Sequence, residues 1–88
     1  MKHVSDIMSI EDDVSILLGA EVISLVTQNR GVIFKVDPDD DDTVYIRWSH
    51  GRENKPFLSW LLKPSSPLRV TKLRGKDHEL EQADSKST

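Results

Sequence analysis

Residues 30–48 read RGVIFKVDPDDDDTVYIRW, and this stretch decides the fold. Apolar side chains occupy every second position in both of its halves, at Val32, Phe34 and Val36 and then at Val44, Ile46 and Trp48. Such an alternation is typical of β-strands that bury one face. Pro38 and the aspartates after it interrupt the pattern, because proline lacks a backbone donor and charged side chains stay in water. The stretch therefore predicts two paired strands, with Phe34 and Trp48 both facing the core.

Similar patterns on either side of this hairpin predict three further strands. The predicted strands comprise residues 21–28, 31–37, 43–49, 52–62 and 68–73. Short turn-forming segments separate them, and no connection is long enough for a crossover helix, so we expect an antiparallel all-β fold. Five strands of this length can curl into a barrel, which removes exposed sheet edges. We therefore predict a five-stranded antiparallel barrel over residues 19–75.

The two ends of the chain differ in composition from this segment. Residues 1–18 place apolar side chains at helical spacing before Gly19, at Ile7, Ile10, Val14, Leu17 and Leu18. The pattern fits a short helix that plugs one end of the barrel, an amphipathic helix that binds a partner, or a segment that is disordered or adds a strand. Residues 76–88 contain few apolar side chains and four acids, and we expect a disordered acidic tail there.

The composition limits the classes of protein to which the chain can belong. Its 88 residues allow one domain with a modest core, and it has no cysteine for disulfides or thiolate metal sites. No apolar run approaches the ~18 residues that a membrane span needs, and no secretory signal pattern is visible. We therefore expect a cytoplasmic protein that makes no contact with membranes.

The net charge of −3 conceals a segregation of charges along the chain. Residues 1–18 and 77–88 each carry a net charge of −3, whereas residues 19–76 carry ten bases and seven acids. Five of those seven acids lie in one loop, at Asp37 and Asp39–Asp42. The rest of the predicted barrel is therefore basic, and a partner responds to this local potential rather than to the net charge.

Two segments resemble a known group of small domains. The sequences GAEVISLVTQNRGVIFKVD (residues 19–37) and TVYIRWSHGRENKPFLSWLLKP (residues 43–64) are similar to the Src-homology-three-like barrels of the KOW and Tudor-like groups. The positions that match the pattern of these groups are Gly19, Val22, Gly31, Val32, Val44, Ile46, Trp48 and Gly51. The resemblance implies a small barrel that binds a partner: KOW domains commonly contact RNA, ribosomes or RNA polymerase, and Tudor-like domains bind methylated side chains or nucleic acid. The chain departs from the KOW pattern because its first loop has no second glycine and its second loop is acidic.

Basic and aromatic side chains along the predicted strands form the first candidate binding site. Its residues are Arg30, Lys35, Tyr45, Arg47, Arg52 and Lys55. Cationic groups bind phosphates through ion pairs and counterion release, and Tyr45 can stack on an exposed base. The leading hypothesis is a non-catalytic binding module, accessory to transcription or translation, whose partner is RNA, DNA, a ribonucleoprotein or a polymerase.

The main alternative is a protein–protein adaptor or inhibitor. It would engage a host protein through an apolar rim formed by Phe57, Leu58 and Trp60, or through the aspartate loop. A third alternative is a weak dimer formed by strand edges or by the N-terminal segment; otherwise the chain is a monomer. We expect Phe34 and Trp48 to belong to the core rather than to an aromatic cage for methylated lysine.

Nothing in the sequence predicts catalysis or a bound cofactor. The three histidines, His3, His50 and His78, are scattered and have no partners at the spacing of a catalytic triad or a metal site. Residues 37–42, DPDDDD, lack the glycine and the distal glutamate of a calcium loop. We therefore expect a protein that is not an enzyme and that holds no metal and no cofactor.

Overall fold

A six-stranded antiparallel sheet forms the body of the protein. The computed structural model describes residues 1–73. The strands are β1 (Lys2–His3), β2 (Glu21–Ser24), β3 (Arg30–Asp37), β4 (Thr43–Trp48), β5 (Glu53–Asn54) and β6 (Leu68–Lys72). The helical elements of the described residues are two 3₁₀ helices (Val4–Asp6 and Val14–Leu17) and one short α-helix, α1 (Leu58–Leu61). The prediction of an antiparallel all-β fold is confirmed.

The order of the strands leaves the sheet open. Across the sheet the strands follow the order β1-β6-β2-β3-β4-β5. Strands β2 to β5 pair with their sequence neighbours, and β6 returns to pair with the other edge of β2. Within residues 1–73, β1 and β5 form the two outer edges and do not pair with each other. The prediction of a closed five-stranded barrel is therefore wrong: β1 adds a sixth strand, and the two outer strands are too short to offer many backbone groups for closure.

The segment predicted as one strand, residues 52–62, is divided in the structure. β5 is only two residues long, and Pro56, which has no backbone donor, precedes α1. The change to a helix turns Leu58 and Leu61, three residues apart, into the core, while Trp60 stays on the surface. An apolar run this short is compatible with a strand or a helix, so the pattern alone does not distinguish them.

The N-terminal segment forms β1 and two 3₁₀ helices that pack on the core, so it adds a strand and does not form the single helix of the other two alternatives. Its fully packed residues are Val4, Met8, Val14 and Leu17, whereas Ile10 and Leu18 are exposed. Asp13 caps the second 3₁₀ helix, since its carboxylate accepts a hydrogen bond from the backbone N–H of Ser15 at 2.9 Å. This hydrogen bond holds the pKa of Asp13 below its ordinary value of 3.8.

A β-bulge in β3 changes which residues face the core. The register between β3 and β4 shifts between Ile33 and Lys35, so that Phe34 and Lys35 together lie opposite Tyr45. Ile33 and Val36 pack in the core on either side of the bulge, and Phe34 contacts Tyr45 on the outer face. The prediction that Phe34 faces the core is therefore wrong, because a strict alternation does not allow for an inserted residue.

β4 follows its predicted alternation. Val44, Ile46 and Trp48 are all buried. Gly31 pairs with Trp48 across the hairpin, and a Cβ at this position would lie 2.8 Å from the Trp48 ring and 2.9 Å from the carbonyl oxygen of Arg47. Gly31 is therefore required by the close approach of the indole.

The core is a single cluster of side chains from the sheet, the N-terminal segment and α1. No helix within residues 1–73 is long and apolar enough to cross a membrane. The predicted acidic tail, residues 76–88, lies outside the described residues.

Candidate functional site

The outer face of the β3–β4 hairpin brings together four of the six residues predicted to bind nucleic acid. These are Lys35, Tyr45, Arg47 and Lys55, and the bulge adds Phe34 to them. We call these five residues the cationic face. Tyr45 and Arg47 alternate with buried residues of β4, which turns both of them outward.

Each cation of this face lies over an aromatic ring. The Lys35 Nζ atom is 4.9 Å and the Lys55 Nζ atom 5.6 Å from the centroid of the Tyr45 ring. The Arg47 Cζ atom is 4.3 Å from the centroid of the Phe34 ring. The two rings meet edge to face, with their centroids 6.1 Å apart. Cation–π contacts at exposed sites are worth about 0.5–1 kcal/mol, which orders the side chains but is weak enough to yield to an anion.

One carboxylate lies beside the cationic face. Arg47 Nε donates a hydrogen bond to Glu53 Oε2 at 3.0 Å, in an ion pair whose side chains are 57% and 41% exposed. Water and salt screen so open a pair, and its contribution to stability is below about 1 kcal/mol. Arg47 therefore keeps most of its capacity to bind a phosphate.

The other two predicted residues lie at the opposite end of the hairpin. Arg30 begins β3, about 16 Å along the strand from Lys35. It lies on the same outer face as Val32, which pairs with Arg47, so Arg30 and Arg47 are diagonal neighbours. Arg52 lines a separate cavity of about 200 Å³ together with His50. The structure therefore assembles a compact site from four of the six residues; Arg30 borders it at Arg47, and Arg52 lies apart from it.

The aspartate loop lies next to the Lys35 end of the cationic face. Asp37 is the last residue of β3, and its carboxylate accepts a hydrogen bond from the backbone N–H of Asp39 at 3.1 Å. Asp41 and Asp42 adopt left-handed conformations, with φ of 53° and 54°. Within residues 1–73 no group of three or more His, Cys, Asp and Glu side chains is arranged to hold a metal ion. The negative charge of the loop lowers the positive potential at Lys35.

A groove borders the cationic face at Lys55. It has a volume of about 550 Å³ and is lined by side chains from β2, β4, β5, β6, α1 and the connection between β5 and α1. We call it the aromatic groove, and the side chains that define it are Ser24, Trp48, Asn54, Lys55, Phe57 and Trp60. Lys55 therefore belongs to both surfaces.

Two aromatic rings that line the groove are half in water. Phe57 is 45% exposed and Trp60 is 42% exposed, so both are accessible to a partner. Leu58, the third residue predicted for a protein-binding rim, is 0% exposed because α1 turns it into the core. The prediction is therefore wrong at Leu58, which no partner can reach in the folded protein.

Sequence reasoning predicted three of the six side chains that define the aromatic groove, Lys55, Phe57 and Trp60, and missed Ser24, Trp48 and Asn54. The Trp48 indole N–H donates a hydrogen bond to the Asn54 carboxamide oxygen, and both residues line the groove. Ser24 and Pro67 reach it from β2 and from the residue before β6. These segments are distant in sequence, and no local pattern brings them together. The one local signal is the spacing of the leucines in FLSWLL, which fits a helical turn that leaves the tryptophan outside.

Comparison with known proteins identifies no relative: neither a protein-family model, nor a curated protein, nor a solved structure matches the chain. The resemblance to KOW and Tudor-like barrels therefore rests on the matching residues alone. Two of those residues, Gly31 and Trp48, approach each other across the hairpin. The close packing of Gly31 against Trp48 accounts for this part of the resemblance without a ligand.

Proposed function

We propose that this protein binds single-stranded RNA or DNA, without catalysis, through the cationic face. The observation that carries the proposal is the placement of three cationic side chains over two partly exposed aromatic rings on adjacent strands. Proteins that bind single strands combine cationic groups for the phosphates with aromatic rings on which bases stack. Both kinds of group lie on this one surface.

Phosphate is the group that best satisfies the three cations. The ring of Tyr45 gives Lys35 and Lys55 only a weak local partner, and Arg47 has one screened carboxylate. A phosphate that replaces these contacts forms charge-assisted hydrogen bonds, and counterions are released from the strand. Once the lysines leave the ring face, Tyr45 is free to stack on a base. The same residues therefore provide both interactions.

The geometry favours an unpaired strand over a duplex. A base stacks on a side chain only where it is not stacked on its own neighbours, as in loops and single strands. The major groove of a duplex admits an α-helix or a two-stranded β-ribbon. β3 and β4 lie inside the sheet, between β2 and β5, and do not form a free ribbon. The one α-helix of residues 1–73 has four residues and packs two leucines into the core, so it cannot serve as a recognition helix.

Fluorescence anisotropy of labelled oligonucleotides tests the proposal. We expect binding at about 50 mM salt, with a logarithmic salt dependence whose slope is about −2 if three cations each neutralise one phosphate of a single strand. Lys35→Ala/Lys55→Ala should reduce the slope to about −0.7. The double variant should also weaken binding to all sequences alike, because phosphate contacts carry no sequence information.

A matched control removes two lysines elsewhere on the surface. Lys2 and Lys72 are exposed on β1 and β6, so Lys2→Ala/Lys72→Ala changes the net charge equally and leaves the cationic face intact. This control should retain the wild-type slope. If both double variants lose the same affinity for the oligonucleotides and the same salt slope, binding depends on net charge alone. The proposal is refuted by such a result, and equally by the absence of binding at about 50 mM salt.

A further inference from the structure

We propose that the aromatic groove is a base-binding subsite, which accepts one unstacked nucleobase of the strand held by the cationic face. The inference rests on the proposed function and adds to it the place where a base is recognised. It follows from the shape of the groove, from the polarity of its side chains and from the position of Lys55.

The groove has the size and the exposed apolar surface of a ligand site. Its volume of about 550 Å³ lies in the range of roughly 300–1,000 Å³ that is usual for small-ligand sites. Trp48 lines it with its indole nitrogen already bonded to Asn54, while Phe57 and Trp60 are half-exposed. An exposed aromatic ring gains free energy by stacking on a flat aromatic ligand. A nucleobase is such a ligand.

The polar side chains of the groove present hydrogen-bond donors. The Asn54 carboxamide oxygen accepts from Trp48, which leaves the Asn54 amino group as a donor. The Ser24 hydroxyl oxygen accepts from two backbone N–H groups, at 3.3 and 3.4 Å, which leaves its O–H as a donor. Lys55 adds an ammonium group, and no carboxylate of residues 1–73 lines the groove. A matching ligand therefore brings acceptors and belongs to an anionic molecule.

Lys55 links the groove to the cationic face. Its Nζ atom lies 5.6 Å from the centroid of the Tyr45 ring, and its side chain also lines the groove. A phosphate bound by Lys55 thus has two aromatic partners for the adjoining bases, Tyr45 on the sheet and Trp60 on α1. One strand can therefore place one base on Tyr45 and another in the groove.

The chemistry favours a nucleobase over an acidic peptide. A base carries its acceptors in the plane of its ring, so a single group both stacks on Trp60 and accepts from Asn54 and Ser24. A peptide must provide an apolar group and a carboxylate on separate side chains, and both must be ordered on binding. Thymine and uracil carry carbonyl oxygens and no amino group, so they match the donors of the groove best.

Three oligomers of equal length test the subsite: oligo(dT), oligo(dA) and an abasic deoxyribose-phosphate chain. We expect oligo(dT) to bind most tightly. Trp60→Ala should weaken the binding of oligo(dT) about fivefold to a hundredfold, the loss expected for one base–aromatic stack. It should change neither the salt slope nor the affinity for the abasic chain, because Trp60 contacts no phosphate. Phe57→Ala should also weaken the binding of oligo(dT).

The outcomes separate this inference from the proposed function. Thermal unfolding checks that the variants fold, and Phe57→Ala decides the matter if Trp60→Ala does not fold. If these variants leave oligo(dT) binding and its salt slope unchanged, the subsite is refuted and the proposed function stands. If no oligomer binds at about 50 mM salt, both are refuted. If a fluorescent acidic peptide containing phenylalanine binds in a Trp60-dependent manner and oligo(dT) does not displace it, the groove serves a protein partner and the inference is overturned.

Discussion

Replacing Gly31 by alanine should displace Trp48, because the two residues face each other across β3 and β4. The added Cβ would lie 2.8 Å from the Trp48 Cε3 atom, 2.9 Å from the Arg47 carbonyl oxygen and 3.1 Å from the Ile46 Cγ2 atom. Non-bonded carbon atoms pack at about 3.5–4.0 Å, so the indole and β4 must retreat by roughly half an ångström or more. The Arg47 oxygen belongs to the backbone and cannot rotate away.

The size of the effect follows from two opposing contributions. Overpacking of this kind destabilises a protein by about 1–3 kcal/mol. The lower conformational entropy of alanine in the unfolded chain offsets about 0.4–1 kcal/mol of this. We therefore expect a net loss of up to about 2.6 kcal/mol in the free energy of unfolding, with a mid-range value of about 1.3 kcal/mol. For a domain of this size such a loss lowers Tm by roughly 5–15 °C.

Urea unfolding and tryptophan emission measure the two consequences of Gly31→Ala separately. A Trp60→Phe background leaves Trp48 as the single tryptophan, so the emission reports on its surroundings alone. Gly51→Ala is the matched control, since nothing lies within 4 Å of its added Cβ. Its φ of 98° disfavours a side chain, by about 1–2 kcal/mol in the left-handed region. We expect Gly31→Ala to shift the Trp48 emission and Gly51→Ala to leave it unchanged.

An unchanged urea midpoint and an unchanged Trp48 emission in Gly31→Ala would refute this reasoning. The result would mean that Gly31 does not lie against Trp48 and that the strands pair in another register. The bulge that turns Phe34 outward depends on the same register. The arrangement of side chains in the cationic face would then be different as well.

Three further variants test the orientation of α1, the cap at Asp13 and the aspartate loop. Leu58→Ala should lower the free energy of unfolding in urea by about 2–5 kcal/mol, because Leu58 is fully buried and its truncation leaves a cavity. Trp60→Ala should lower it less, because Trp60 is half-exposed. A larger loss for Trp60→Ala than for Leu58→Ala would contradict the orientation of α1. Asp13→Ala should lower Tm because it removes the cap, and the ionised carboxylate forms the stronger cap. The full difference in Tm from the wild type should be present above pH 3.8 and should shrink as the pH falls through the lowered pKa of Asp13. A Tm difference that does not depend on pH would contradict this prediction. Asp39→Asn/Asp40→Asn should strengthen oligonucleotide binding about twofold to fivefold at low salt by relieving repulsion; weaker binding in anisotropy would show that the loop assists the ligand.

The β3–β4 hairpin shows where the alternation of apolar residues predicts the buried face of a strand and where it does not. The alternation in residues 44–48 predicts the buried face of β4 correctly, because inward and outward side chains follow one another without interruption. The same rule fails in β3, since the bulge at Phe34 is decided by pairing with β4 and not by the residues of β3 alone. Lys35, Tyr45 and Arg47 still share one face, because outward residues of paired strands are neighbours.

The sequence by itself determined the class of fold, the pairing of the two longest strands and the basic segment between acidic ends, because these depend on residue type and spacing within single segments. Only the tertiary structure decided that the sheet stays open, that residues 52–62 divide into β5 and α1, and that Ser24, Trp48 and Trp60 line one groove. The physical reason is that burial and hydrogen bonding are shared between segments far apart in the chain. No one of those segments is sufficient to specify the contact that it makes.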